Sequence, residues 1–389
     1  MTLRELEILC TRQAREQIER HIECDPMKIA LEKHLPDARL IASQVKYLQR
    51  ARTKLPVLYD ARCVIPSLAF EQASSQTCAG FLDCGGKLCI DLTCGLGIDA
   101  MYLARRFEKV ISLERDEVLA AVARENFARL GITNIEVVNT SAEDFLSSFG
   151  AHADQIYADP DRRDEKGRKK VLLQDCSPDI GALLPQLKRA ADNIAIKLSP
   201  MFDMAEALRI FGPTAEVSAL SEGGECKQVL VKCGKAVAQS RLVAVMADKD
   251  ESIRFDASDD APRTNAEFDS SLYRFLIVPD VALSKIRCVE KYLDSIGAYF
   301  YSENGYGFCT EAPREVFGRI MQIDSIEPFA PKTLKRRLRE LDIRRADIMR
   351  REFPLSCDQI ASQLGISQGG TMRICFTRID GQLFQIVLR

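Results

Sequence analysis

Histidine is scarce in this chain and closely paired cysteines are absent. Three histidines (His21, His34, His152) and fourteen scattered cysteines without a C-x-x-C pair offer no spacing suited to a zinc ribbon or a dithiol redox centre. No metal is therefore expected, and reduced, mostly buried thiols fit a reducing compartment. No apolar run is long enough to span a bilayer, and the opening Met1-Thr2-Leu3-Arg4-Glu5 lacks signal-peptide character. No membrane partner and a cytoplasmic location are expected. A large net charge is missing too: the formal value is -2, so any attraction to nucleic acid must come from local basic patches. What is present is apolar material, 46% of 389 residues, enough to bury the cores of two to four domains.

The densest chemistry lies in Cys89-Ile90-Asp91-Leu92-Thr93-Cys94-Gly95-Leu96-Gly97-Ile98-Asp99, followed by Val110-Ile111-Ser112-Leu113-Glu114. An apolar strand runs into a turn with Gly95 and Gly97, a helix begins near Asp99, and a second strand ends on Glu114. This reads as a nucleoside-binding βαβ unit, in which glycines admit a ligand close to the backbone and the carboxylate accepts bonds from ribose hydroxyls. Dinucleotide sites place a pyrophosphate at the helix N-terminus. Asp91 at the strand end would repel phosphates but suits a cationic amino-acid group, which favours S-adenosylmethionine over NAD. Asp91, Thr93, Gly95, Gly97 and Glu114 are the expected cofactor residues.

Ile135-Glu136-Val137-Val138-Asn139 reads as a third strand, with backbone at Ser141 and Ala142 in position to meet an adenine. Asp144 suits either the adenine amine or a solvated first helical turn. Ile156-Tyr157-Ala158-Asp159-Pro160-Asp161-Arg162-Arg163 ends a fourth strand, and ligands of open α/β sheets sit beyond such strand ends. Asp159 is thus both a cofactor neighbour and the candidate catalytic group, orienting an acceptor amine or hydroxyl. Arg162 and Arg163 open a basic loop reaching Lys170, suited to a substrate phosphate, with Arg162 assigned to the catalytic set. Lys197, at the end of a fifth strand from Asn193 to Leu198, reads as a solvated rim lysine or a substrate contact. Val217 to Leu220 and Gln228 to Lys232 read as an antiparallel hairpin.

Glu71-Gln72-Ala73-Ser74-Ser75, the Asp91 to Asp99 run, Asp159-Pro160-Asp161-Arg162-Arg163, Lys197-Leu198-Ser199-Pro200-Met201 and Glu225-Cys226-Lys227 resemble the signatures of a Bacteroidetes family of class I methyltransferase-like proteins with a C-terminal THUMP-like domain. The resemblance spans nearly the whole chain. It implies an α/β fold: a Rossmann-like methyltransferase domain with a seven-stranded mixed sheet, binding S-adenosylmethionine, and small α+β domains of ferredoxin-like and THUMP-like type. Expected boundaries are 1–62 for N-terminal helices, 63–248 for the methyltransferase domain, 270–325 for the ferredoxin-like domain and 326–389 for the THUMP-like domain. THUMP modules accompany RNA-modifying enzymes, so RNA, with transfer RNA foremost, is implied by analogy. The family pattern reads Asp-Pro-Ala-Arg-Arg where Asp161 stands here, and no aromatic follows Pro160 to stack a flipped base.

The C-terminal third adds its own signals. The polar stretch Asp248 to Asp269 reads as a linker, Tyr273 to Val278 as a strand, Leu283 to Ile296 as a helix and Ala298 to Tyr301 as a strand. From Lys332 to Glu352 nine basic residues face four acids, a local excess of positive charge suited to phosphates. Cys357 to Leu364 reads as a helix, Gly369-Gly370 as a turn, and Met372 to Arg378 with Leu383 to Leu388 as a hairpin around Asp380-Gly381. Three readings stay open: an RNA methyltransferase, a methyltransferase of proteins or small molecules, and a non-catalytic module that binds RNA and the cofactor.

Overall fold

The structure, a computed structural model, describes residues 1–81, 84–161, 173, 176–212, 214–249, 251–256, 267–302 and 305–389. The chain divides into two compact units: Met1–Glu222 with Lys227–Ser240, and Gly223–Cys226 with Arg241–Arg389.

The first unit opens with helices Leu3–Cys10, Arg12–Arg20, Pro26–Ala30 and Ala38–Lys54. Pro26 is the first residue of a helix capped by Asp25, a position where proline's missing N–H costs nothing. Leu9, Ile29, Val45 and Leu48 are buried together with Ile98 and Val122, so these helices share a core with the βαβ unit. Asn126 fixes the join: its side chain accepts from the Val64 amide at 2.8 Å and donates to the Val64 carbonyl at 2.9 Å.

Among the described residues this unit contains β1 (Gly86–Asp91), β2 (Phe107–Leu113), β3 (Ile135–Val138), β4 (Ala153–Ala158), β5 (Ala191–Leu198), β6 (Ala215–Glu222) and, from Lys227 onward, β7 (Glu225–Gly234). Their order is β3-β2-β1-β4-β5-β7-β6. The first five run parallel, and β7 is antiparallel to β5. The last three residues of β1 and last four of β4 are buried, because a parallel strand covered by helices on both faces reads as a continuous apolar run. The strand order reverses between β1 and β4, which opens a crevice at their carboxyl ends.

The second unit carries an antiparallel pair, β8 (Arg241–Met246) and β9 (Glu251–Asp256). Part of the expected polar linker is therefore a strand; edge pairing needs backbone groups rather than apolar side chains, and sequence polarity hides it. Of that stretch, 250 and 257–266 lie outside the described residues. There follow β10 (Phe275–Pro279), β11 (Tyr299–Phe300), β12 (Gly307–Cys309), β13 (Gly318–Pro328), β14 (Arg345–Arg350), β15 (Ser367–Ile379) and β16 (Gln382–Leu388), ordered β11-β12-β10-β13-β16-β15-β14. β13 pairs with β10 through its first half and with β16 through its second, so one long strand joins the two halves of a seven-stranded sheet. The single helix expected from Leu283 to Ile296 is two, Val281–Lys285 and Val289–Ser295, separated at Arg287, whose φ of 57° no helix accommodates. Gly369 and Gly370 do not end a strand. They sit inside β15 at φ 92° and 107°, beside the register shift against β14. The hairpin at Asp380 and Gly381 forms with φ of 46° and 83°, the paired left-handed conformation of a tight two-residue turn.

Candidate functional site

The crevice beyond β1 and β4 is a cleft of about 690 Å³, within the range of small-ligand sites. Thr93, Gly95, Glu114, Ser141, Ala142 and Asp159 all line it. Ser74, Arg115, Met201 and Lys227 also contribute.

Each wall is held by local bonding. The Glu114 carboxylate accepts from the Gly95 amide at 2.8 Å and from the Asp116 amide at 2.9 Å, so the second strand's acid is tied to the glycine turn. Gly95 has φ 55°, and a Cβ there would meet nothing within 4 Å; the open space is in the cleft. Gly97 differs. It does not line the cleft; its φ is 82° and a Cβ would strike the Phe127 ring at 2.5 Å, so its glycine serves packing of the helix that starts at Ile98. Ser141 caps the helix Ala142–Ser148 and donates to Asp144 at 2.7 Å, which accounts for Asp144 as part of the helix start.

Asp91, expected to face the cofactor, lies beneath the turn instead, 1% exposed. One carboxylate oxygen accepts from the Thr93 amide at 3.0 Å and the other from Ser112 Oγ at 2.5 Å. Burial drives its pKa up to about 7 against these two bonds, and the charges of Asp99 and Glu114 push the same way. Its place is to hold the loop that carries Thr93 and Gly95, and Thr93 in turn accepts from the Asp159 amide at 2.7 Å.

At the opposite side Asp159 follows β4 with its side chain 25% exposed, and Lys197 Nζ donates to it at 2.6 Å. The same ammonium donates to Asp99 Oδ2 at 3.1 Å and to Ser74 Oγ, and Tyr157 donates its hydroxyl to Asp99 at 2.8 Å. Lys197 is thus neither solvated nor a rim residue; it is 6% exposed. Burial works against its charge, but Asp159 and Asp99 outweigh that and hold its pKa above the usual lysine value. Burial pushes the Tyr157 hydroxyl up as well. Sequence reasoning missed this set although a signal existed. A lysine closing the run Ile194-Ala195-Ile196 stands in a fully buried strand, where a charge must be paired.

Arg162, Arg163 and the loop to Lys170 lie outside the described residues. The Lys332–Glu352 segment, expected as one basic patch, is divided by the fold into the helix Pro331–Glu340, a turn and β14. Arg351 is taken by structure, donating to the Gly305 and Pro279 carbonyls with its guanidinium 5.3 Å from the Tyr306 ring. Arg337 pairs with Glu327 at 3.1 Å. Lys332, Arg336 and Arg339 stand exposed on the helix. Among the described residues no cluster of histidine, cysteine or carboxylate side chains is suited to a metal ion, and no helix is long and apolar enough to cross a membrane.

A mixed sheet of this order with its cleft at the β1–β4 switch is the Rossmann-like architecture of class I methyltransferases. The comparisons agree. A crystal structure titled "putative methyltransferase" from Porphyromonas gingivalis W83 superposes with a TM-score of 0.82 at 25% identity, covering 97% of both chains. An uncharacterized S-adenosylmethionine-dependent methyltransferase of Mycobacterium tuberculosis is 24% identical over 300 residues, 76% of this chain and 78% of that protein. A tRNA/tmRNA (uracil-C(5))-methyltransferase of Photobacterium profundum is 27% identical over 122 residues, 25% of this chain and 33% of its own length. Residues 318–389 match the THUMP domain-like family. Fold and likeness together define an S-adenosylmethionine-dependent methyltransferase with a C-terminal THUMP-like domain.

Proposed function

We propose that this enzyme methylates RNA, transfer RNA foremost, in the cytoplasm. The observation that carries the reading is the composition of the chain: a cleft whose floor presents Asp159 in one unit, and in the other a THUMP-like domain whose helix displays Lys332, Arg336 and Arg339 to solvent. Its weaker likenesses to tRNA and rRNA methyltransferases favour the same substrate class.

S-adenosylmethionine supplies an electrophilic methyl group when bound. The cleft suits it: the fixed Glu114 carboxylate retains lone pairs for a ribose diol, the open space at Gly95 lets a ligand reach the backbone, and Ser141 and Ala142 lie where an adenine edge would meet main chain. Asp91 and Gly97 support this wall from behind. Asp159 orients the acceptor, Arg162 and Arg163 hold a substrate phosphate, and residues 270–325 and 326–389 form the ferredoxin-like and RNA-binding parts.

Binding of folded transfer RNA, titrated across salt, tests the reading. Each neutralised phosphate releases condensed counterions, so affinity falls linearly on logarithmic axes with a slope of roughly 0.7–0.9 per contact. Replacing Lys332, Arg336 and Arg339 by alanine is expected to flatten that slope by about two units and to weaken many RNAs alike, since phosphate contacts carry no base information. Absence of binding even at low salt would favour a protein or small-molecule acceptor.

A further inference from the structure

We infer that the atom methylated is a nitrogen bearing hydrogen, not a pyrimidine carbon. The inference rests on the methyltransferase reading above and concerns what the cleft can do to its acceptor.

Carbon 5 of a uracil becomes nucleophilic only after a nucleophile, typically a thiolate, adds to carbon 6. Methyl transfer must then be followed by loss of the carbon 5 proton and expulsion of that thiolate. Such chemistry needs an accessible, activated thiol. All fourteen cysteines fall within the described residues, so the census is complete. Cys94 alone among them lines the cleft; it is 5% exposed, and burial pushes its thiol far above the ordinary value. Cys176, next to the lining residue Ser177, is buried. Cys226 is half-buried and is not among the residues that line the cleft.

What the cleft does present is a carboxylate. Asp159 lines the cleft and accepts from Lys197 at 2.6 Å, so it stands there as a hydrogen-bond acceptor. An ionised carboxylate can only accept hydrogen bonds, so its partner must be an N–H or O–H donor. A sugar hydroxyl must be deprotonated as it attacks, which asks for a stronger base. A base nitrogen needs only orientation: its lone pair forms the nitrogen–carbon bond as the carbon–sulfur bond breaks with its electron pair passing to sulfur. The nitrogen then loses its proton to water.

The test supplies the full chain with methyl-labelled S-adenosylmethionine and, separately, total RNA and total protein from cells lacking the gene, followed by identification of the labelled product. Label in an N-methylated nucleoside is expected. In parallel, transfer RNA containing 5-fluorouridine, which traps thiol-adding enzymes as complexes stable on a denaturing gel, is expected to give none, and Cys176→Ala and Cys226→Ala are expected to methylate at the wild-type rate. Labelled 5-methyluridine, a trapped complex, or loss of methylation in either folded cysteine variant would overturn the inference while leaving RNA as the substrate. Label on a protein nitrogen would sustain the inference and overturn the RNA reading, and no label in either fraction would overturn both.

Discussion

Asp91 should make the first unit more stable in acid than at neutral pH, and its replacement by asparagine should remove that trend. Its folded pKa of about 7 stands above the ordinary 3.8. Between those values the folded protein keeps a proton that the unfolded chain has lost. Unfolding then releases a proton, so stability is fully present below about pH 4 and declines as pH rises to 7. At 1.36 kcal/mol per unit over roughly three units, the decline is about 4 kcal/mol. The substitution Asp91→Asn would keep the geometry, the new side-chain carbonyl accepting from the Thr93 amide and the NH₂ donating to Ser112 Oγ, without a charge to bury. Hydrogen exchange of the β1 amides, which reports opening of this unit alone, measures the difference at pH 5, 6, 7 and 8 for wild type and Asp91→Asn. The variant's advantage is expected to grow by about 2–3 kcal/mol from pH 5 to pH 8. A constant gap, or one that closes as pH rises, would refute the argument that the charge of Asp91 is destabilised by burial.

Other substitutions test the remaining walls. Glu114→Ala removes a charged acceptor for ribose and strands the Gly95 amide; calorimetry with S-adenosylhomocysteine should show affinity lower by about 1.5–3 kcal/mol, and unchanged binding would remove Glu114 from the site. Lys197→Met removes the ammonium that Asp159 and Asp99 share, and since removing one partner of a buried pair costs about 3–5 kcal/mol, the midpoint of thermal denaturation should fall by roughly 6–20 °C. The double change Lys197→Met with Asp99→Asn should recover part of it. Gly97→Ala meets the Phe127 ring and a left-handed backbone together, for about 2–4 kcal/mol of instability. Gly95→Ala carries only the backbone strain, about 1–2 kcal/mol, and should be felt instead in cofactor affinity. Equal melting losses for the two alanines would show that the glycines are not divided between packing and binding.

The order of the elements was legible in the sequence because alternating apolar strands and helices, with turn residues between them, are local patterns. The Gly95–Gly97 turn, the acid that follows β2 and the Asp380-Gly381 hairpin all follow from spacing and backbone preference. So did the location of the cleft, since β1 ends in Asp91 and β4 is followed by Asp159 after apolar runs. What spacing cannot carry is depth. Asp91 and Glu114 are both acids at strand ends, yet only packing makes one a buried support and the other a wall. Gly95 and Gly97 differ by whether Phe127 stands opposite. Lys197, Asp99 and Ser74 are far apart along the chain and meet only because β5 lies beside β4 in the folded sheet. In the same way, the nine basic residues near the C-terminus were countable in sequence, but the fold turned Arg351 inward and left Lys332, Arg336 and Arg339 in water. Charge is a local property; burial belongs to the tertiary structure, and burial decided which of these groups support the fold and which face a ligand.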